Sequence, residues 1–165
     1  MAEAVKPRDP GKNGVTGLEG KYLTFSLGKE EYGISILRVK EIIGMMPIRS
    51  MPRTPHFIKG VINLRGKVIP IVDLRLKFGL EQLEATERTC IIVVEVSGGE
   101  TSVLTGIVVD SVSEVLNIKG SDIEEAPALG VRLNTDYIRG MAKTDKSVRV
   151  LLNIDRVIQD QAWTS

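Results

Sequence analysis

The feature that most constrains this chain is an internal duplication. Residues 57–78 align without a gap with residues 137–158. Ile58/Ile138, Gly60/Gly140 and Val68/Val148 are identical, and Phe57/Tyr137, Lys59/Arg139, Ile71/Leu151, Asp73/Asn153 and Leu74/Ile154 are conservative replacements. A second block, residues 33–43 against 106–116, shares Gly-Ile-x-(Ile/Val)-x-x-Val-x-Glu-(Ile/Val)-(Ile/Leu). The separation of the two blocks is greater in the second copy, which places a longer connector there, residues 117–136. Two copies with the same apolar spacing, paired glycines and paired capping residues predict two units of like fold that bury their apolar faces together.

Within each copy the pattern is that of β-structure. Val, Ile and Leu recur in short, nearly alternating runs broken by Gly, Pro and Asn, as in small barrels and sandwiches. Candidate strands are residues 22–27, 31–36, 60–64, 68–72, 89–96, 102–109, 113–118, 138–143 and 148–152. Two short helices are expected where a strand ends in a residue whose side chain can accept a backbone N–H bond, at Asp73 and at Asn153. The predicted fold is all-β with short helices: two similar five-stranded barrels of SH3-like or OB-like kind. Their limits are 21–79 and 88–158, joined by a polar linker at 80–87. Residues 1–20, rich in Pro and Gly, read as a flexible tail, and 159–165 as a second one. Barrels this small sit near the lower limit of independent stability, which favours packing into one unit.

Composition then removes whole classes of function. Lys and Arg number 22 against 21 Asp and Glu, a formal net charge of +1, which gives no field for a nucleic-acid backbone or an anionic membrane. The aromatics (three Phe, three Tyr, one Trp) are dispersed, so the alternative reading, an OB-like barrel that stacks single-stranded nucleic acid, lacks both platform and groove. One Cys and one His permit no internal disulfide and make a metal site improbable. No apolar run reaches the roughly 18–20 residues of a bilayer span and no signal peptide is evident, so a cytoplasmic chain without direct membrane insertion is expected.

Individual motifs offer no reagent. Gly60-Val-Ile-Asn-Leu-Arg-Gly66-Lys67 has the wrong glycine spacing for a phosphate loop and lacks its Ser or Thr. His56 sits between Pro55 and Phe57 without a nucleophile motif. Cys90 opens an apolar strand and reads as a small hydrophobe. Glu30-Glu31 and Glu124-Glu125 read as solvated faces. No catalytic residue, cofactor or metal is expected; a pair of reagent-free barrels works through its surfaces, above all the groove between them.

Four stretches carry a resemblance: Glu30-Glu-Tyr-Gly-Ile34, Pro55-His-Phe-Ile-Lys-Gly-Val-Ile-Asn-Leu-Arg-Gly66, Ile69-Pro-Ile-Val-Asp-Leu74 and Gly106-Ile-Val-Val-Asp110. In these, and from Lys21 to Ile158 as a whole, the chain resembles the CheW-like domain family of bacterial chemotaxis adaptors. The resemblance implies two small barrels that exchange strands, with Val148–Leu152 completing the first; periodicity leaves that exchange open. It implies a non-enzymatic adaptor that couples the cytoplasmic tip of methyl-accepting chemoreceptors to the regulatory domain of the histidine kinase CheA, recruited to receptor arrays at the inner face of the membrane. Carried over by motif position, the receptor-binding set is Val39, Glu41, Gly60, Arg65, Cys90, Ile91, Gly106 and Val112. Cys90 and Ile91 stand where the family usually has aliphatics. Val39 and Val112, like Glu41 and Glu114, occupy matching places in the two copies, whereas the counterpart of Arg65 is Asp145, so the barrel itself does not demand an arginine there. Met45, Met46 and Ile48 are expected to contact the kinase.

Overall fold

A computed structural model describes residues 19–98, 101–125, 135–143 and 147–158; most of both expected tails, much of the 117–136 connector and Asp145 lie outside the described residues. The strands are β1 (Gly20–Leu27), β2 (Glu30–Ser35), β3 (Val39–Gly44), β4 (Ile58–Leu64), β5 (Lys67–Asp73), β6 (Cys90–Gly98), β7 (Thr101–Val109), β8 (Ser111–Ile118), β9 (Ile123–Glu124), β10 (Ile138–Lys143) and β11 (Val148–Leu152). Helix α1 (Leu74–Lys77) follows β5 and α2 (Ile154–Ile158) follows β11, with 3-10 turns at Ile36–Arg38, Gly120–Asp122 and Thr135–Tyr137. The fold is all-β with short helices, as the alternation predicts. The two strands that the pattern does not show are β3 and the two-residue β9.

The strands form a six-stranded sheet in the order β8-β1-β2-β11-β10-β9 and a five-stranded sheet in the order β3-β6-β7-β5-β4. Neither sheet is made from one sequence copy. The hairpin β1–β2 of the first copy receives β8, β10 and β11 from the second, and the hairpin β6–β7 of the second receives β3, β4 and β5 from the first. The exchange is made by two equivalent parallel pairings: β11 on β2, with Val150 opposite Tyr32, and β5 on β7, with Val72 opposite Ile107. Irregularities in the ladders are duplicated as well. Register shifts fall between Ile58 and Gly60 and between Ile138 and Gly140. Further shifts fall at Val39–Glu41, and in β8 where it passes Leu23–Phe25.

Strand alternation divides the apolar residues between two faces. One face of each sheet feeds a shared core containing Phe25, Ile34, Val72, Ile92, Val94, Ile107, Leu152 and Ile154. On the other face the six-stranded sheet carries Tyr22, Ile118, Ile123, Ala142 and Leu151, and the five-stranded sheet Ile62, Ile69, Ile71, Ile91, Val93 and Val108. Each fully buried Ile, Leu or Phe stabilises the fold by roughly 1.5–3 kcal/mol relative to exposure, so the shared core makes the two sheets one unit.

Both helices start as expected. The Asp73 side chain accepts from Arg75 N at 2.9 Å and Leu76 N at 3.3 Å, and Asn153 Oδ1 accepts from Arg156 N at 3.2 Å. Their backbones are held equivalently too: Asp73 N donates to Phe57 O at 2.8 Å and Asn153 N to Tyr137 O at 2.7 Å.

Candidate functional site

The site residues expected from sequence fall into distinct places. Arg65 and Gly66 form the two-residue turn between β4 and β5, both with positive φ (51° and 89°), the combination that a tight hairpin with right-handed strand twist requires. Asn63 Oδ1 accepts from Gly66 N at 2.8 Å and braces the turn. From it the largely exposed Arg65 guanidinium reaches Glu41 on β3 and forms an ion pair. β3 and β4 are the two outer strands of their sheet, so this pair ties one edge to the hairpin at the other. Hydrogen bonding to Glu41 pushes the Arg65 pKa further above its already high value.

Gly60 is buried on β4 with φ of 141°. A Cβ there would lie 2.1 Å from the carbonyl oxygen of Arg49. The segment after β3 crosses at this point, and Arg49 and Val61 exchange two backbone hydrogen bonds, both 2.9 Å. The close backbone neighbour of Gly60 is therefore the chain itself. Gly106 is enclosed similarly: its Cβ would meet Ile71 Cδ1 at 2.6 Å and Ile91 Cγ2 at 2.8 Å. Its counterpart Gly33 faces Leu151 Cδ2 at 3.1 Å. Both glycines lie where an exchanged parallel strand packs. Ile91 is fully buried in the outer cluster of the five-stranded sheet.

Cys90, the residue before it on β6, points to the opposite face and packs half-buried against the shared core, on which Val39 and Val112 also pack; burial pushes the Cys90 thiol pKa up. Cys90 and Val112 also share the wall of an open pocket of about 490 Å³ with Ser26, Arg88, Ser111 and Ser113. Met46 and Ile48 pack on the outer cluster of the five-stranded sheet, while Met45 is exposed. Ile48 further lines an apolar groove of about 610 Å³ with Pro47, Arg49, Val61, Ile62, Asn63 and Val68. The structure thus joins Glu41 with Arg65, Cys90 with Val112 and Ile91 with Gly106, and sets Gly60 beneath Arg49.

The ion pairs escaped the sequence reading, among them two that hold the helices. Arg75 Nη1 on α1 donates to Asp110 Oδ2 at 2.7 Å, and Gly28 N donates to the same oxygen at 2.7 Å. Arg38 Nη2 donates to Asp155 Oδ2 on α2 at 2.6 Å, while Ser97 N donates to Asp155 Oδ1 at 3.0 Å. Positions 75 and 155 are equivalent in the two copies but opposite in charge. That reversal is the one signal in the sequence that marks them.

The described residues thus form a duplicated, strand-exchanged pair of β-sheets with two open grooves on its surface. The family model of the CheW-like domain matches residues 21–162, and the chain belongs to that family, which serves chemotaxis as scaffold or adaptor. It is 41% identical over 141 residues to the chemotaxis protein CheW of Klebsiella aerogenes, covering 86% of this chain and 82% of that one. It is 31% identical over 160 residues to a probable chemotaxis protein CheW of Rhizobium etli, covering 97% and 96%. The crystal structure of the scaffolding protein TtCheW from Thermoanaerobacter tengcongensis superposes with a TM-score of 0.78 at 35% identity, covering 87% of this chain and 90% of that one. Among the described residues no helix is long and apolar enough to cross a membrane.

Proposed function

We propose that this chain is a non-enzymatic cytoplasmic adaptor that couples chemoreceptor tips to the regulatory domain of CheA and is recruited with them into arrays at the inner face of the membrane. The observation that carries the reading is a pair of sheet edges that no other strand covers among the described residues. β3 and β8, equivalent in the two copies, each end a sheet, and each exposes an apolar side chain at the matching position, Ile42 (46%) and Val115 (48%). Unpaired edge strands with exposed apolar groups invite pairing with another β-protein, and the kinase's regulatory domain has the same family fold. Met45, Met46 and Ile48 continue from the β3 edge into the apolar groove and form the kinase-facing surface in this reading. The receptor hairpin is placed on the set Val39, Glu41, Gly60, Arg65, Cys90, Ile91, Gly106 and Val112. The Glu41–Arg65 pair is its outermost charged feature, while Gly60, Ile91 and Gly106 contribute by shaping the wall behind it. Receptor bias then reaches the kinase through geometry, by favouring one arrangement of the assembly.

Transient contacts of an adaptor with its partners are expected to bind in the micromolar range, roughly −8 kcal/mol. A pull-down with a receptor-tip fragment and with CheA tests the reading; a folded chain that retains neither overturns it. Arg65→Ala is expected to abolish receptor-dependent kinase stimulation while moving the melting temperature by no more than a few degrees, since exposed ion pairs add little to stability.

A further inference from the structure

What holds the first half of the chain (residues 19–79) to the second (88–158) is almost wholly non-covalent. β1 pairs with β8, β2 with β11, β3 with β6 and β5 with β7, so each sheet takes strands from both halves. The ion pairs Arg38–Asp155, Arg75–Asp110 and Glu31–Arg149 cross the same boundary. The covalent tie is a single passage, residues 80–87, between α1 and β6. Residues 81–88 are all exposed, and 81–86 have no regular secondary structure. The passage is held near its start, where Leu80 N donates to Arg75 O at 2.7 Å and Arg75 Nε to Glu81 O at 2.8 Å, and at its end, where Thr86 N donates to Thr89 Oγ1 at 2.8 Å. Between these points, residues 82–85 make no hydrogen bond or ion pair among the described residues.

Such a tie does not dictate which second half closes on a given first half. Eight extended residues span roughly 26–29 Å, enough to lead away from the body into a neighbouring chain. A second half supplied by another chain makes the same ladders, the same core and the same ion pairs, so the exchanged form differs only in the path of the tie. We infer that two chains of this protein exchange halves to form a dimer of two complete units, each built from the first half of one chain and the second half of the other. Closure within one chain wins in dilute solution, because the tethered half is present at an effective concentration of about millimolar. Chains that fold together near that concentration close on one another, and their dimer persists on dilution because reversal requires both units to open. Exchange also divides the surface assigned to the receptor, with Glu41 and Arg65 from one chain and Cys90 and Val112 from the other. That consequence rests on the receptor-binding reading above, whereas the exchange itself does not.

Charge reversal gives a test that only exchange can satisfy. Arg75→Asp and Asp110→Arg each set like charges against one another within a chain. In a mixed exchanged dimer, one unit regains the pair seen here between Arg75 and Asp110, and the other holds the same pair reversed. The two full-length variants are unfolded in urea, mixed at near-millimolar concentration, refolded, and separated by size exclusion with light scattering. The expected product is a species of twice 18.1 kDa that contains both variants equally. It should be about tenfold or more as abundant as the dimer from either variant alone, since facing like charges strongly disfavour the unmixed forms. A chain carrying both changes has its pair matched internally and is expected to give no more dimer than the wild type. Wild type refolded at the same concentration is expected to yield a dimer that survives dilution, which decides the matter even where a variant does not fold. Mixed dimers no more abundant than the unmixed ones, or wild type returning only as monomer, overturn the exchange. Arg65→Ala and Val112→Asp chains, refolded together, are then expected to regain the receptor-dependent kinase stimulation that neither shows alone, because one unit of their mixed dimer is wild type. A mixed dimer that forms without stimulation overturns the divided receptor surface and leaves the exchange standing.

Discussion

Gly60 and Gly106 differ in what an added methyl group would strike, and the difference sets a measurable order. At Gly60 the obstacle is backbone, the Arg49 carbonyl at 2.1 Å, and φ is 141°, a conformation that side chains other than hydrogen rarely adopt. At Gly106 the obstacles are side-chain methyls, Cδ1 of Ile71 and Cγ2 of Ile91, of which the Ile71 tip can shift by rotation. Chemical denaturation is expected to show Gly60→Ala losing about 3–5 kcal/mol and Gly106→Ala about 1–3 kcal/mol, with Ile71→Val recovering part of the second loss but none of the first. The paired glycines are visible in the sequence as Gly60/Gly140 and Gly33/Gly106. What fills the space they leave is not, because Arg49 and Ile71 reach those points only through the tertiary path of the chain. For the same reason Cys90 and Ile91, adjacent in sequence, end on opposite faces of β6, and a contact set inherited as a string separates in space.

Strand ends and caps were the most legible elements because their causes are local. Asp73 and Asn153 each stop a strand and start a helix through their own side chains, and the two differ in strength: Asp73 serves two amides and is nearly buried, whereas Asn153 serves one at 3.2 Å. Asp73→Ala is expected to cost about 1–2 kcal/mol and Asn153→Ala about half as much, read from urea midpoints at constant slope. β3 escaped the strand pattern for an equally physical reason. It is an edge strand whose residues alternate between half-buried and exposed, so its apolar contrast is weak, although the alignment of residues 33–43 with 106–116 sets it against β8. The partner of Arg65 escaped too: Glu41 lies on the far edge of the sheet, and no spacing along the chain announces the meeting of two edges.

At the scale of the whole molecule, the two reversed ion pairs sit where the chain passes between sheets. Arg38 ends the turn from β2 to β3, and Asp110 lies between β7 and β8; each corner is held by the helix of the other copy, through Asp155 and Arg75 respectively. If a first copy were matched with another first copy, Arg75 would face the Leu37–Arg38 corner. If a second were matched with a second, Asp155 would face Asp110. The reversal therefore rewards only the pairing of unlike copies, a charge-based specificity of the kind that excludes wrong partners. Arg75→Asp is expected to lower stability by roughly 2 kcal/mol, between the values for exposed and buried pairs, and Asp110→Arg in that background to restore most of it, as read from denaturation midpoints. Failure of the second change to rescue the first would show that Arg75 acts through its stem and its hydrogen bond to Glu81 O instead of through Asp110.

The reciprocal exchange of strands also orders events in time. While a ribosome is still producing the second copy, β1 and β2 can form a hairpin, yet β2 has no neighbour on its outer side until β11 has been made, and β3 has none until β6 appears. Sheets whose partners lie this far apart along the chain close slowly, and the waiting strands expose edges that a chaperone can shield. Two halves that are similar in sequence thus mature only together, and the nascent chain commits to its shape only once β11 has been made.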